Sequence, residues 1–387
     1  MDAMRIALAT SSYAPYVGGV EEHVANVARV LRTRGHEVVV WTVARDGRFA
    51  VREHDGIEVW DLPTPLPARS IPAMLGFALR FPGAWRRWRR ASRRLRPDVI
   101  HVHCFGPNGT YARLLAGRTR TPLVVTGHGE TVADDAGVFQ HSRLAQDSLT
   151  RALADAAAVT GCSHVVLADL EARFGLEPGR GEVVPNGIDP DEAAAPTALP
   201  AARGRYVAAL GRVQRVKGFD LLVEAFARAD IDPEVTLVIG GEGPERAPLT
   251  EQAERLGVAD RVILPGRLDR GQVAALLGGA AAVVVPSRFE AFGIAALEAW
   301  RAGAALIVTN RGGPPEFARD GIDGLLVDPE DTDALARAIT EVIRDPARAA
   351  SLGDAGLLRL PEFTWERVAG QYEDIYLRAT DRSPDLG

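Results

Sequence analysis

Two glutamates, Glu290 and Glu298, stand with seven residues between them around Phe292-Gly293-Ile294. The segment follows a short apolar run at 281–285 and reads as a loop entering a helix near Phe292. The first amides of a helix lack intrahelical acceptors and carry the positive end of its dipole. Phe292, Gly293 and Ile294 therefore offer N–H groups to an anion. At about 1.5 Å of rise per residue, the helical part separates the two carboxylates by roughly the length of a ribosyl diphosphate. An acid at each end with amides between them suits a nucleotide sugar, one acid for sugar hydroxyls and one for ribose hydroxyls. Two glutamates near a helix start are, alone, more commonly ordinary surface acids. The loop 211–218, Gly-Arg-Val-Gln-Arg-Val-Lys-Gly, changes that balance. Arg212 can fork onto phosphate oxygens and Lys217 adds a point charge. Lys217 is also the only lysine in the chain, every other basic side chain being arginine; a coding bias explains the scarcity but not the location.

Weaker signals follow other apolar runs. Gly241 and Gly243 frame a close-approach turn, Gly-Glu-Gly-Pro at 241–244, and Arg267 and Leu268 follow Pro265-Gly266, where a backbone edge could read a flat base. Gly18 and Gly19 open a helix after the first run, and Gly211 opens the arginine–lysine loop. Glycines at a helix start let the backbone approach an anion, although a tight turn explains Gly18-Gly19 equally well. The spelling is not GxGxxG, which counts against a dinucleotide site. His128 lies between two glycines in Gly127-His128-Gly129-Glu130, a poor place for a core residue and a good one for bonding a ligand hydroxyl; a structural role is as common for a lone histidine. His101 and His103 read as structural or pocket-lining.

These loops need elements to hold them. Strands are expected at 5–10, 37–42, 98–103, 123–126, 158–161 and 182–185, with helices such as 20–34 and 163–174 between them. After an Ala- and Pro-rich linker that ends at Arg203, the pattern restarts. Strands are expected at 206–210, 235–240, 261–264, 281–285, 305–309 and 324–327, and helices at 219–229, 270–277, 293–302 and 332–344. Alternation of this kind implies βαβ units and parallel sheets, whose ligands sit beyond the carboxyl ends of the strands. The expected organisation is a first doubly wound domain at 1–190 and a second at 204–363, with a last helix near 364–380 that has no strand after it.

A chain of 387 residues with 47% apolar and 25% charged residues supplies two ordinary cores. Its net charge of −6 argues against general nucleic-acid affinity. Cys104 and Cys162 are too few for a disulfide framework and lack zinc-ligand spacing, so they read as small apolar residues in a reducing compartment. No stretch is apolar enough to span a membrane, and the first residues read directly into a strand rather than a signal peptide. A cytoplasmic location is expected.

Taken together, the motifs closely resemble glycosyltransferase family 4, retaining enzymes of the α/β GT-B fold with two Rossmann-like domains facing across a cleft. The carriers are Gly18-Gly19-Val20, Gly127-His128-Gly129, the Pro-Asn-Gly-Ile-Asp run at 185–189, Gly211-Arg212 with Lys217-Gly218, the turn at 241–244, the Glu290–Glu298 segment and the Gly-Gly-Pro-Pro-Glu run at 312–316. The resemblance implies roles. Arg212 and Lys217 would hold the donor diphosphate and stabilise it as leaving group, Glu298 would bind the ribose and Glu290 the donor sugar. Phe292, Gly293 and Ile294 would offer amides, Gly19 would approach the phosphate from the first domain, His128 would sit beside the transferred sugar, and Arg267 and Leu268 would lie by the base. The last helix would cross back to the first domain. It further implies a hexosyltransferase acting on a UDP- or GDP-sugar as substrate, with no cofactor and no metal, the charge being stabilised by the protein. Asp230-Ile231-Asp232 has the spelling of a metal-binding Asp-x-Asp but reads as a solvated turn.

The acceptor leaves one trace. Between Asp61 and Asp98 there is no acid and there are nine arginines. Arg86, Arg87, Arg89, Arg90, Arg93 and Arg94 cluster with Trp85, Trp88 and Leu95 at helical spacing. This is either a basic amphipathic surface for anionic lipid or a phosphorylated acceptor, which would bring the protein to the inner membrane face, or, more commonly, a helix whose tryptophans pack on the sheet and whose arginines are solvated. The rivals to a transferase are a nucleotide-sugar epimerase or phosphorylase and a non-catalytic sugar-nucleotide binding protein.

Overall fold

The computed structural model describes residues 3–16, 18–67, 70–132, 137–192, 195–199 and 204–381. Parts of the expected linker (193–194 and 200–203) lie outside the described residues. The chain divides into two compact units, 1–187 with 365–387, and 188–364. It passes from one to the other at 187/188 and returns at 364/365.

The first unit is built on strands β1 (Arg5–Thr10), β2 (Glu37–Val43), β3 (Ala50–His54), β4 (Ile57–Leu62), β5 (Val99–His103), β6 (Leu123–Gly127), β7 (Ala158–Gly161) and β8 (Gly181–Val183). Its helices before the crossing are α1 (Gly19–Thr33), α2 (Ile71–Leu95), α3 (Pro107–Thr119), α4 (Val138–His141), α5 (Arg143–Asp155) and α6 (His164–Phe174). The sheet order is β3-β4-β2-β1-β5-β6-β7-β8. All pairs are parallel except β3 with β4. The central strands β1, β5 and β6 are buried almost throughout, as in a sheet covered on both faces, and β5 carries the buried His101 and His103 among its apolar residues.

The β3–β4 hairpin is absent from the sequence expectation. Its turn is Asp55-Gly56, both at positive φ (50° and 75°), the geometry that a two-residue hairpin loop demands. Helix α2 also starts well before the arginine cluster, capped by Ser70, whose side chain accepts from Ala73 N. Trp88 is fully buried in an edge contact with Trp41 (5.8 Å). Arg86, Arg87, Arg90, Arg93 and Arg94 are exposed and Arg89 half-buried.

The second unit repeats the scheme with β9 (Tyr206–Leu210), β10 (Thr236–Gly240), β11 (Val262–Gly266), β12 (Ala282–Val285), β13 (Leu306–Thr309) and β14 (Leu325–Val327). The helices are α7 (Phe219–Arg228), α8 (Arg246–Arg255), α9 (Arg270–Gly278), α10 (Ile294–Arg301), α11 (Thr332–Arg344) and α12 (Pro346–Leu357). The sheet order is β11-β10-β9-β12-β13-β14. Strand β11 runs on through Pro265-Gly266, two residues past the expected end; at a sheet edge the missing proline N–H costs no ladder bond.

Helix α13 (Trp365–Asp381) belongs to the first unit. Trp365, Val368, Ala369, Tyr372, Ile375 and Tyr376 are buried in the core that also holds Val24, Val27 and Leu31 of α1. Among the described residues no helix is long and apolar enough to cross a membrane.

Candidate functional site

In each sheet the strand order reverses beside the first strand, between β9 and β12 in the second unit and between β1 and β5 in the first. A crevice opens at such a switch point, beyond the carboxyl ends of the strands.

In the second unit Arg212 and Lys217 follow β9, and Glu290 follows β12. The two loops are laced together. A Cβ on Gly218 would stand 2.0 Å from Pro286 O, and Gly218 has φ +67°. Arg288 N donates to Val216 O (2.8 Å), and the Arg288 guanidinium forks onto both oxygens of Asp220 (2.7 and 2.6 Å). This framework places Lys217 Nζ 2.8 Å from Glu290 Oε2, which also accepts from Ser287 Oγ at 2.8 Å. Lys217 is one-quarter exposed and Glu290 about one-tenth. Arg212 is exposed at the mouth of its loop.

Glycines supply the remaining scaffold, for reasons internal to the chain. A Cβ on Gly241 would lie 1.9 Å from Gly211 O, and one on Gly243 would lie 2.1 Å from Val213 O. The close approach at these two glycines is thus to the neighbouring loop's backbone. Gly211 has φ +153° and donates its N–H to Gly240 O (3.0 Å). Gly312, at φ +105°, lets the loop after β13 meet Glu290, whose carbonyl accepts from Gly313 N (2.8 Å).

The helix after Glu290 begins at Ile294, two residues later than the sequence suggests. Gly293 is its N-cap in a left-handed conformation (φ +106°). The backbone before it is already engaged with the β13 loop, and Phe292 is buried with its ring stacked on Phe317 (4.8 Å). Phe292 therefore lies before the helix with its side chain in the core, and Gly293 and Ile294 are the residues at the helix entrance. Glu298 is half-buried on the second turn of α10. Arg267 is exposed directly beyond β11, and Leu268 is half-buried where a Cβ on Gly240 would touch it.

In the first unit Gly18 is the extended N-cap of α1 and Gly19 its first residue; Val17, in the same loop, lies outside the described residues. His128 follows β6. Its backbone N–H donates to Glu130 Oε2 (2.7 Å), while Glu130 Oε1 accepts from Phe105 N (2.6 Å) beyond β5. One carboxylate thus clamps the two loops. Burial pushes its pKa up, opposed by these amide bonds.

His128 belongs to a cluster of four imidazoles. Its Nε2 lies 3.1 Å from His103 Nδ1. His101 and His103 are in ring contact at 3.9 Å. His23, on α1, sits edge-on to His128 at 4.8 Å. His23 Nδ1 pairs with Asn186 Oδ1 (2.8 Å) and its Nε2 with Tyr372 OH (3.1 Å). His101 bonds Tyr376 OH (2.7 Å) and Thr126 Oγ1 (2.6 Å). Burial pushes His23 down to about 4 and His101, His103 and His128 well below the usual histidine range, so all four are neutral near pH 7. The ligand atoms of His23, His103 and His128 lie within 4.8 Å of one another, close enough to share a metal ion, although both nitrogens of His23 already have hydrogen-bond partners.

Sequence reasoning singled out His128 but missed Glu130, His23, Asn186 and Tyr372, which hold its surroundings. The first three stand inside or beside the motifs; Tyr372 gives no signal except a helix that needs a core. Cys104, at φ +54°, ends β5 in a conformation few non-glycine residues adopt.

Residues 17–192 match the family described as Glycosyltransferase Family 4, and residues 195–359 match Glycosyl transferases group 1. A glycogen synthase of Mycobacterium tuberculosis is 31% identical over 97% of this chain and 95% of its own length. Among solved structures, a sucrose-phosphate synthase from Thermosynechococcus elongatus superposes with a TM-score of 0.78 at 25% identity, over 98% of this chain and 99% of that one. Anabaena HepE in complex with UDP-glucose superposes with a TM-score of 0.77 at 19% identity, over 95% of this chain and 98% of that one.

Proposed function

The chain belongs to glycosyltransferase family 4 and has the GT-B fold, and from that premise we propose that it moves a hexose from a UDP-sugar to a hydroxyl acceptor with retention of configuration and without a metal. The observation that carries the reading is the Lys217–Glu290 pair at the β9/β12 switch point. A cation for the diphosphate and a carboxylate for sugar hydroxyls stand side by side there, flanked by Arg212 and the entrance of α10 that carries Glu298.

In this reading Lys217 and Arg212 meet the diphosphate and stabilise the charge it gains as it leaves, which is the work a metal would otherwise do. Gly293 and Ile294 add amides, Glu290 orients the sugar, Glu298 holds the ribose and His128 meets the transferred sugar. The C1–O bond to the diphosphate breaks, the acceptor oxygen bonds C1 on the same face, and the acceptor proton passes to a diphosphate oxygen. A trapped covalent glycosyl-enzyme would overturn that step. UDP is favoured over GDP because HepE, of the same fold, binds UDP-glucose. Calorimetry of UDP and GDP against wild type and Lys217→Ala, without added metal, tests the donor side. Micromolar UDP binding that the variant loses supports the reading, and no binding of either nucleotide removes it.

A specific observation favours a lipid surface as the location of the acceptor. The first three turns of α2 expose Ile71, Met74, Leu75 and Leu79, the last at 83%. The arginines of the same helix follow directly. An apolar face next to a cationic one suits an anionic bilayer. Flotation with liposomes that contain or lack acidic lipid tests this; absence of binding at low salt discards it.

A further inference from the structure

His103 and His128 share one hydrogen bond, Nδ1 to Nε2 at 3.1 Å. Both rings are neutral, so a single proton lies between the two nitrogens and each ring carries one other nitrogen of the opposite kind. Two arrangements satisfy the contact. If His128 Nε2–H donates, the proton of His103 must sit on its own Nε2. That atom is buried without a partner, in a residue with no exposed surface. An N–H buried without an acceptor is the rarest kind of exception in folded proteins, since a strong donor is stripped of water with nothing in return. If instead His103 Nδ1–H donates, only a bare lone pair is left in that position. His128 then carries its proton at Nδ1, the nitrogen turned away from His103, on a side chain that is only half-buried.

We propose that His103 is a positioning residue that sets the tautomer of His128, so that His128 presents an Nδ1–H donor rather than a lone pair. The surroundings reinforce the choice. His23, packed against both rings, has its own Nδ1 proton fixed by Asn186 Oδ1, an atom that only accepts. Its Nε2 is taken by Tyr372 OH, so His23 has neither a free proton nor a free lone pair for His103 or His128. The consequence is chemical. A neutral imidazole held as an Nδ1–H donor bonds a sugar or leaving-group oxygen and stabilises negative charge there. It is not a base for the acceptor hydroxyl, because its only lone pair is occupied by His103. This consequence rests on reading His128 as the group that meets the transferred sugar; the tautomer itself does not.

The test reads the tautomer directly in the full chain. Histidine labelled with ¹⁵N gives long-range ¹H–¹⁵N correlations that identify the protonated nitrogen, and His128→Asn identifies the ring by loss of its signals. His128 is expected to be protonated at Nδ1 in wild type and in His103→Asn, whose amide keeps a donor near the δ position. In His103→Leu it should shift toward the Nε2–H form. In parallel, His103→Leu should lower kcat roughly tenfold, the size expected for one hydrogen bond, with UDP affinity unchanged, and His103→Asn should restore most of it. An Nε2–H tautomer of His128 in wild type overturns the proposal, as does an unaltered tautomer in a folded His103→Leu. An Nδ1–H tautomer with kcat indifferent to both His103→Leu and His128→Asn upholds the assignment and removes only the role given to His128 at the sugar.

Discussion

Lys217 Nζ and Ser287 Oγ converge on one oxygen of Glu290, each at 2.8 Å, so the single lysine of the chain is neutralised by the carboxylate assigned to the sugar. The two groups are spent on each other until a donor enters. In the proposed reading a diphosphate must therefore compete with Glu290 for the lysine charge. Glu290→Gln keeps an acceptor for Ser287 but frees that charge. UDP alone should bind the variant at least as tightly as wild type, while kcat falls about 10²–10³-fold, the cost of losing one well-placed charged group. Lys217→Ala should lose both UDP affinity and kcat. Calorimetry together with steady-state rates checks this, and weakened UDP binding in Glu290→Gln would contradict it.

Gly218 is the second lever on that pair. Its φ of +67° and the 2.0 Å that would separate a Cβ from Pro286 O leave no room for a side chain. Gly218→Ala should part the β9 and β12 loops. The expected loss is about 2–3 kcal/mol of stability together with UDP affinity, although no atom of the donor is touched. Melting curves and calorimetry measure the two; a variant with unchanged UDP affinity would show that the loop contact does not set the site.

What the sequence revealed and what it hid follow from the range of the interactions. The strands of the second unit were legible because apolar runs bounded by glycine are local, and 206–210 and 332–344 have the very bounds of β9 and α11. The β3–β4 hairpin was legible in principle, through Asp55-Gly56, but its strands are short, half-polar and at a sheet edge, so their hydrophobic pattern is weak. The start of α10 was misplaced because the Glu290–Gly312 contact, 22 residues apart in sequence, holds Phe292 out of the helix. The roles of Gly241 and Gly243 as backbone contacts, and the histidine cluster, depend on pairings across the sheet that no local pattern encodes. His23 and Tyr372 are 349 residues apart.

Glu130 offers a further test in the first unit. Its carboxylate takes amide protons from both Phe105 and His128. Glu130→Gln has one oxygen where two are needed and turns an NH2 toward an N–H. It should cost roughly 1–3 kcal/mol and release the His128 loop, lowering kcat with little change in UDP affinity, because the residues proposed to hold the donor lie in the other unit. A variant with wild-type kcat and a lowered melting temperature would restrict Glu130 to stability.

The distribution of histidines gives the last prediction, on pH. All eight histidines lie in the first unit, 1–187 with 365–387, and none in 188–364. His23 falls from an ordinary 6.5 to about 4, with His101, His103 and His128 moved the same way by burial. Well above pH 6.5 these rings are neutral in both folded and unfolded chains and stability is unaffected. Below it the unfolded chain takes up protons that the folded one refuses, so stability is lost as pH falls from 6.5 toward 4. For His23 alone, going the full distance is worth roughly 3 kcal/mol. Glu130, raised by burial, works in the opposite sense but only near carboxylate pH. Between pH 7.5 and 5.0, where most carboxylates remain ionised, the first unit should therefore lose stability and the second should not. Five of the six tryptophans (Trp41, Trp60, Trp85, Trp88 and Trp365) lie in the first unit and only Trp300 in the second. Tryptophan fluorescence in urea should show a midpoint that drops at pH 5.0. His23→Phe, which removes one such proton site, should lower stability at pH 7.5 by breaking the Asn186 and Tyr372 bonds but flatten the pH slope. A slope unchanged in that variant would mean that the buried imidazoles titrate normally and that the cluster is more open to water than its burial implies.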